Sequence, residues 1–195
     1  YAYALAEDQA GFVGDGTSTY GGIRGAVTVL NAGNHAGGIV TATAGNLSFK
    51  TLDMADFTAV VGRCPEYAKA NAKWYISPAG HADSMMTLAY NAGGNSVVDV
   101  TGEIVDTFLG YPVVKTHVLN GVLTDEANTI KCLFGDLSLA ATLGERRQMS
   151  ISTSEHLYFA QRPIAVLAVQ RFDIVNHDYG DATTAGPVVA LKTPG

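Results

Sequence analysis

The sequence predicts an α+β fold in two subdomains, and three observations carry that prediction. Residues 51–64 hold a helical stripe in which Phe57, Val60, Val61 and Cys64 fall at i, i+3, i+4 and i+7. The last third reads as strand, with residues 164–175 the longest candidate, about 40 Å at ~3.3 Å per residue. Between them Gly110-Tyr111-Pro112 feeds an apolar run, Val113-Val114. Gly110 can take backbone angles closed to other residues, and Pro112 fixes φ while withholding a ladder donor, so these three residues form a candidate structural turn. Helices in the middle and strands at the end point to α+β rather than to alternating βαβ units.

Residues 1–13 carry strong helix formers with no breaker before Gly11, and Gly14-Asp15-Gly16-Thr17 ends that helix in a tight turn. Residues 18–50 are glycine-rich, with β-prone pieces at 26–30 and 39–43. In the helix that follows, Asp53 and Asp56 sit near the start, where the helix dipole favours them. Pro65 ends it and opens a short turn at 66–70. Residues 73–77 form a short strand carrying Trp74, the only tryptophan. Ser77-Pro78 opens a second helix, with Ser77 as N-cap and Pro78 at the first position. Met85, Met86, Leu88 and Ala89 form its expected buried side, and Gly93-Gly94 stops it. A loop over 95–107 contains a β-piece at 97–100. Strands then follow at 111–117 and 129–134.

In the long strand the first half, Ile164 to Val169, is apolar on both faces. Its second half alternates, Phe172 and Ile174 against Arg171 and Asp173. One end should therefore be sandwiched and the other lie on a surface. A polar turn over 176–187 precedes a last strand at 188–192.

Composition narrows the function classes. The chain has 195 residues, 47% hydrophobic and only 15% charged, against roughly 25% charged in ordinary soluble domains. Low charge suits faces that meet partners. Net charge is −6, and the only adjacent basic pair is Arg146-Arg147, so specific phosphate recognition is disfavoured. Cys64 and Cys132 stand alone in their segments, without Cys-x-x-Cys spacing, and read as packed thiols. No apolar run approaches the ~18 residues of a membrane span, so no membrane partner is expected.

Catalytic signals do not converge. Gly14-Asp15-Gly16 lacks the third glycine of a nucleotide loop and follows a helix. His81-Ala82-Asp83 and His177-Asp178 lack a second histidine at ligand spacing, and His81 reads as a capping or solvated residue. Ser154-Glu155-His156 has triad residue types in adjacent positions, whereas a triad is assembled across a fold. Glu7-Asp8 reads as surface charge. No catalytic residue, metal, cofactor or small-molecule substrate is expected. A small hydrolase or metal enzyme using His81, Asp83 or His156 is the remote alternative.

A set of segments in a fixed order carries more weight. Glu7-Asp8-Gln9-Ala10 leads to Gly14-Asp15-Gly16-Thr17 and Gly21-Gly22-Ile23. Pro65-Glu66-Tyr67, then residues 71–78, precede Phe108-Leu109-Gly110-Tyr111-Pro112-Val113-Val114. Phe134-Gly135-Asp136-Leu137 and Gly144-Glu145-Arg146-Arg147 follow. In that order and spacing, over about 180 residues, the chain resembles the major capsid proteins of tailed phages, the Hong Kong 97 fold.

The resemblance implies an axial (A) and a peripheral (P) domain. Residues 1–29 would be the end of the spine helix and its turn, 30–135 the axial domain, and 136–195 the peripheral β-arm. It implies self-assembly into pentamers and hexamers of an icosahedral phage or prophage head, enclosing double-stranded DNA without specific binding. The chain would be part of a virion, assembled in the bacterial host cytoplasm. An encapsulin-like shell protein of the same fold is the alternative. Asn91, Gly93, Gly94, Asn95, Asp99 and Glu103 are the candidate axial tip. His177, Asp178, Tyr179 and Asp181 are the candidate threefold contact. The family's N-terminal arm and extended loop would precede Tyr1, so these 195 residues alone are expected to fold without closing shells. Arg162 occupies the position resembling the crosslinked asparagine of some members, so that intersubunit bond is not expected.

Overall fold

The computed structural model describes residues 2–91, 106–154 and 165–195. Its centre is a six-stranded mixed sheet built from β1 (Ile39–Thr41), β2 (Lys73–Ile76), β3 (Thr107–Phe108), β4 (Tyr111–Lys115), β5 (Ile130–Gly135) and β8 (Val188–Lys192). The spatial order is β1-β8-β5-β2-β4-β3. β8 runs antiparallel to β5 and parallel to β1, and β2 runs antiparallel to β5 and parallel to β4. The last strand thus lies inside the sheet of the middle segment, between β1 and β5.

Both faces are buried at β5 and β8, which is why these two strands are rich in apolar residues, Lys131 and Lys192 apart. On one face Trp74, Ile76, Cys132, Phe134, Val189 and Leu191 pack against α3 (Met54–Arg63), Phe49 and Met85. Phe57, Trp74, Phe108 and Phe134 form an aromatic cluster with centroids 4.5–5.9 Å apart. The Trp74 indole N–H donates to the Phe108 carbonyl at 3.1 Å, which satisfies its one polar atom. On the other face Leu133, Val188 and Ala190 meet Ala26 and Leu30 of α2 (Ala26–Asn31), Ala140 and Tyr179. Residues 26–30 are therefore helix and not strand: Ala26 and Leu30, one turn apart, supply burial that outweighs the β-propensity of Val27, Thr28 and Val29.

Capping chemistry sets the helix starts. Asp53 caps α3, accepting from the Asp56 N–H at 3.0 Å, while Asp56 accepts from the Asp53 N–H at 3.2 Å. Asp56 also accepts from the Thr43 N–H at 2.8 Å, the Thr43 hydroxyl at 2.9 Å and the Asn46 amide at 2.6 Å, tying the 43–46 loop to the helix. Burial alone would raise its pKa, but these hydrogen bonds outweigh it and hold the carboxyl below the ordinary aspartate value. After Pro65 comes α4 (Glu66–Lys69). Ser77 accepts from the Gly80 N–H at 3.2 Å and opens α5 (Pro78–Gly80).

Residues 109–110 form a hairpin turn. Leu109 (φ 51°) and Gly110 (φ 83°) are both left-handed, and Phe108 pairs with Tyr111 across two residues. This is the primed turn that matches strand twist. The Gly-Tyr-Pro segment is therefore the closing of the β3–β4 hairpin rather than the kinked start of a lone strand. Tyr111 then packs edge-on to Phe134 at 4.9 Å.

β5 carries one departure from regular pairing. The register with β8 slips between Ile130 and Cys132, which leaves Lys131 at a bulge. A bulge re-aims a side chain, and Lys131 is 0% exposed, its ammonium 4.9 Å above the Phe49 ring.

Candidate assembly surfaces

Outside the sheet stands a two-stranded antiparallel ribbon, β6 (Ala141–Ser154) with β7 (Ala165–Asn176). It leaves the core through α7 (Leu137–Ala140), whose cap is Asp136, accepting from the Ser138 N–H at 2.9 Å. The register shifts twice, between Glu145 and Arg147 and between Arg147 and Ser150. Such shifts increase local twist.

The base of the ribbon is covered by α1 (Ala2–Val13). Gln170 donates to Glu7 at 2.6 Å, and Phe12, Leu143 and Ile174 line a cleft of about 340 Å³ between helix and ribbon. Asn176 donates to the Arg24 carbonyl and ties the ribbon's end to the turn after α1. Among the described residues the far end has no such cover. Ile151 (65% exposed), Val166 (66%) and Leu167 (62%) lie open. Ile151 and Val166 share one side of the ribbon and Leu167 faces the other, because register pairs Ile151 with Ala168 and Ser152 with Leu167. The expectation that the first half of this strand is sandwiched in the core is therefore corrected at Val166 and Leu167, Ile164 lying outside the described residues. Its doubly apolar pattern is real, but within the chain neither face of Val166 and Leu167 is buried.

A second surface lies at the end of the helix begun by α5. The helix widens to π geometry over His81–Met86 and returns as α6 (Thr87–Asn91). Hydroxyls satisfy the freed carbonyls: Ser84 donates to Gly80 at 2.6 Å and Thr87 to Ala82 at 3.2 Å. The wider turn changes which residues face inward. Met85 is buried, but Met86 is 56% exposed, against the expected stripe. Tyr90 (83% exposed) and Asn91 present the helix end to solvent. Of the candidate axial tip, Gly93, Gly94, Asn95, Asp99 and Glu103 lie outside the described residues, as do the 97–100 β-piece and Arg162.

The third surface is the turn after β7. His177 and Asp178 are exposed, and their N–H groups donate to the Ala140 carbonyl at 2.9 and 3.2 Å. The Asp181 carboxylate accepts from the Thr184 N–H at 2.7 Å, the Thr183 N–H at 2.7 Å and the Thr183 hydroxyl at 2.9 Å. These bonds, with that from the Thr184 backbone foremost, hold its pKa below the ordinary value. Tyr179 differs from its neighbours. It is 3% exposed, donates to Asn176 at 3.2 Å and packs edge-on to His35, so its side chain anchors the turn instead of lying on its surface. Burial pushes its phenol pKa up.

The polar residues weighed for catalysis stay apart. His81 is buried rather than capping or solvated, and burial lowers its pKa despite Asp106 nearby. His156 lies outside the described residues. Among the described residues no three His, Cys, Asp or Glu side chains gather in metal-binding range, and no helix is long and apolar enough to cross a membrane. Cys64 and Cys132 are buried free thiols.

A profile of the phage capsid family matches residues 1–181. The chain belongs to the phage capsid family. Solved structures share the fold of this capsid protein. The capsid of a native GTA particle, computed with C5 symmetry, superposes at a TM-score of 0.67 with 18% identity, covering 100% of this chain and 62% of that one. A chain from Mycobacterium phage Bobi gives 0.58 at 18% identity, again covering 100% and 62%. One from Mycobacterium phage Adephagia gives 0.54 at 16%, with the same coverage. The capsid chain therefore spans under two thirds of the length of these structures. No curated protein matched the sequence.

Proposed function

We propose that this chain forms the wall of a phage or prophage head, a structural and non-catalytic role carried out with copies of itself. Family membership across residues 1–181 carries the reading. The uncovered apolar end of the ribbon supports it, since Ile151, Val166 and Leu167 lie on both sides of an element that projects from the core. In this reading the segment after Asn91 gathers around the axes of pentameric and hexameric rings. His177, Asp178 and Asp181 meet neighbouring copies near threefold positions, with Tyr179 fixing the turn from beneath. Rings of this kind use heterologous contacts, one patch against a different patch on the next copy.

Double-stranded DNA is enclosed rather than bound. A net charge of −6 with few clustered basic residues gives little counterion release, so a packed genome is contained without adhering to the wall. Assembly takes place in the bacterial cytoplasm and the product is a virion component. The test is purification of particles from producing cells, followed by nuclease treatment and class averaging. Rings of five and six around nuclease-protected duplex DNA are expected. Particles filled with protein cargo and free of DNA would instead identify a nanocompartment.

A further inference from the structure

One buried histidine sits where the helix begun by α5 meets the β3–β4 hairpin. His81 is 7% exposed and opens the π segment, its N–H donating to the Ser77 carbonyl at 2.8 Å. Ser77 follows Ile76, which pairs in register with Lys115 at the end of β4. Thr116 donates its N–H to the Ile76 carbonyl at 3.0 Å, so the start of the helix and the end of β4 stand side by side. Lys115 makes an ion pair with Asp106, whose carbonyl accepts from the Val113 N–H at 2.8 Å. That pair closes the base of the hairpin. Asp106 and Lys115 are the two charges that act on the His81 ring from this side, and Asp83 stands two residues on along its own helix.

A neutral imidazole fits this place and an imidazolium does not. Water reaches the ring poorly, so a charge on it loses hydration. The Asp106 carboxylate would offset that charge, but Lys115 already holds it, and the pair as a whole presents no net charge to the ring. A proton on His81 therefore either displaces Lys115 from Asp106 or stays uncompensated beside an ammonium. Burial lowers the ring's pKa foremost, with Asp106 opposing and Lys115 adding to the effect. Asp106 is itself held below the ordinary aspartate value, by the Lys115 hydrogen bond foremost, so it stays ionised while the ring titrates. The π geometry over His81–Met86 depends on the Ser84 and Thr87 hydroxyls to satisfy its freed carbonyls, which makes this the stretch of helix that opens most readily.

We propose that His81 is an acid-sensitive latch between the helix that runs to Asn91 and the β3–β4 hairpin: a proton on its ring competes with Lys115 for Asp106 and parts the π turn from the hairpin's base. The step is proton uptake from solvent at a ring nitrogen, and no bond between heavy atoms changes. Its direction follows from linkage. The folded ring holds a proton less readily than the unfolded one, whose ordinary value is 6.5. Well above 6.5 both are neutral and the latch is at full strength. As pH falls below 6.5 the opened state takes up the proton first, so the closed state loses stability until pH has passed below the folded value. Asp56 and Asp106 titrate lower, so this loss precedes theirs. The latch lies within one chain and is independent of the assembly role.

Histidine ring resonances of the 195-residue chain, followed by NMR from about pH 8 to about 4.5, read the latch directly. The His81 signal is the one absent in His81→Gln, and its wild-type midpoint should lie below 6.5. Lys115→Met frees Asp106 and removes the neighbouring cation, so it should move the midpoint up, whereas Asp106→Asn should move it down. Both side chains are partly exposed, so these two variants should fold. Amide exchange gives a second reading, with protection over His81–Met86 measured against β5 and corrected for the intrinsic rate. It should fall between about pH 7 and about 5 in the wild type and stay level in His81→Gln. A midpoint that neither Lys115→Met nor Asp106→Asn moves would overturn the proposal. So would wild-type protection that is flat with pH, or that falls equally in His81→Gln.

Discussion

Asp56→Ala should lower stability by about 3 kcal/mol. The carboxylate is 4% exposed and accepts from four donors at 2.6–3.2 Å, two of them backbone N–H groups. Removing it leaves those donors without a partner in a site water reaches poorly. Each orphaned group costs about 1–3 kcal/mol before relaxation, and the neighbours share the relaxation, so the sum is well below four separate penalties. The Asp53 cap itself survives, because its carboxylate accepts from the backbone N–H of residue 56. Urea unfolding followed by Trp74 fluorescence is the assay, because Trp74 is fully buried beside Phe57 of the same helix. With a slope of about 2 kcal/mol/M, the midpoint should fall by about 1.5 M. The folded-state pKa lies below its ordinary value, so the contribution is complete above pH ~4 and is lost as pH falls through the folded value. The wild-type advantage over Asp56→Ala should therefore shrink towards pH 2–3 and stay level from pH 5 to 8. A midpoint change under about 0.3 M at pH 7 would refute the reasoning, since it would mean that water replaces the carboxylate at no cost.

Three other changes follow from particular contacts. Leu109→Asn should raise stability by about 0.5–1 kcal/mol, because asparagine tolerates φ near 51° and Asn-Gly is favoured in a primed hairpin turn; thermal denaturation reads this. Trp74→Phe should cost about 2–3 kcal/mol, from lost volume and the unpaired Phe108 carbonyl, as read by urea unfolding followed by far-ultraviolet circular dichroism. Val166→Asp with Leu167→Ser should leave stability within about 0.5 kcal/mol, since neither residue is covered in the single chain. The same pair should abolish particle formation, as read by sedimentation of the producing cells' lysate.

Much of the central fold was legible in the sequence because local and global signals agree there. Asp53 and Ser77 cap where capping chemistry places them, the Phe57–Cys64 stripe faces the sheet, and β8 falls on 188–192 as read. Disagreement arises where tertiary context decides. Residues 26–30 have β-branched side chains, yet two small contact points on the second face make them helix. Met86 left the core because a π turn, which no period in the sequence announces, rotates the residues that follow Gly80. The Ile164–Val169 run has the composition of a buried strand, and hydropathy cannot tell burial within a chain from burial between chains. Lys131 was invisible for a related reason: one bulge re-aims its side chain, whereas strand alternation would have put it on the face of the sheet that Leu133 occupies. Its partner Glu126 carries no spacing signature, so only the fold brings the two together.

Electron microscopy of the product of the full reading frame that contains these residues tests the central claim most directly. Closed hollow particles are expected, with a wall into which this fold fits, the ribbon ends carrying Ile151, Val166 and Leu167 covered by neighbouring copies. A product that stays monomeric, or particles whose wall leaves those ribbon ends open to solvent, would contradict it.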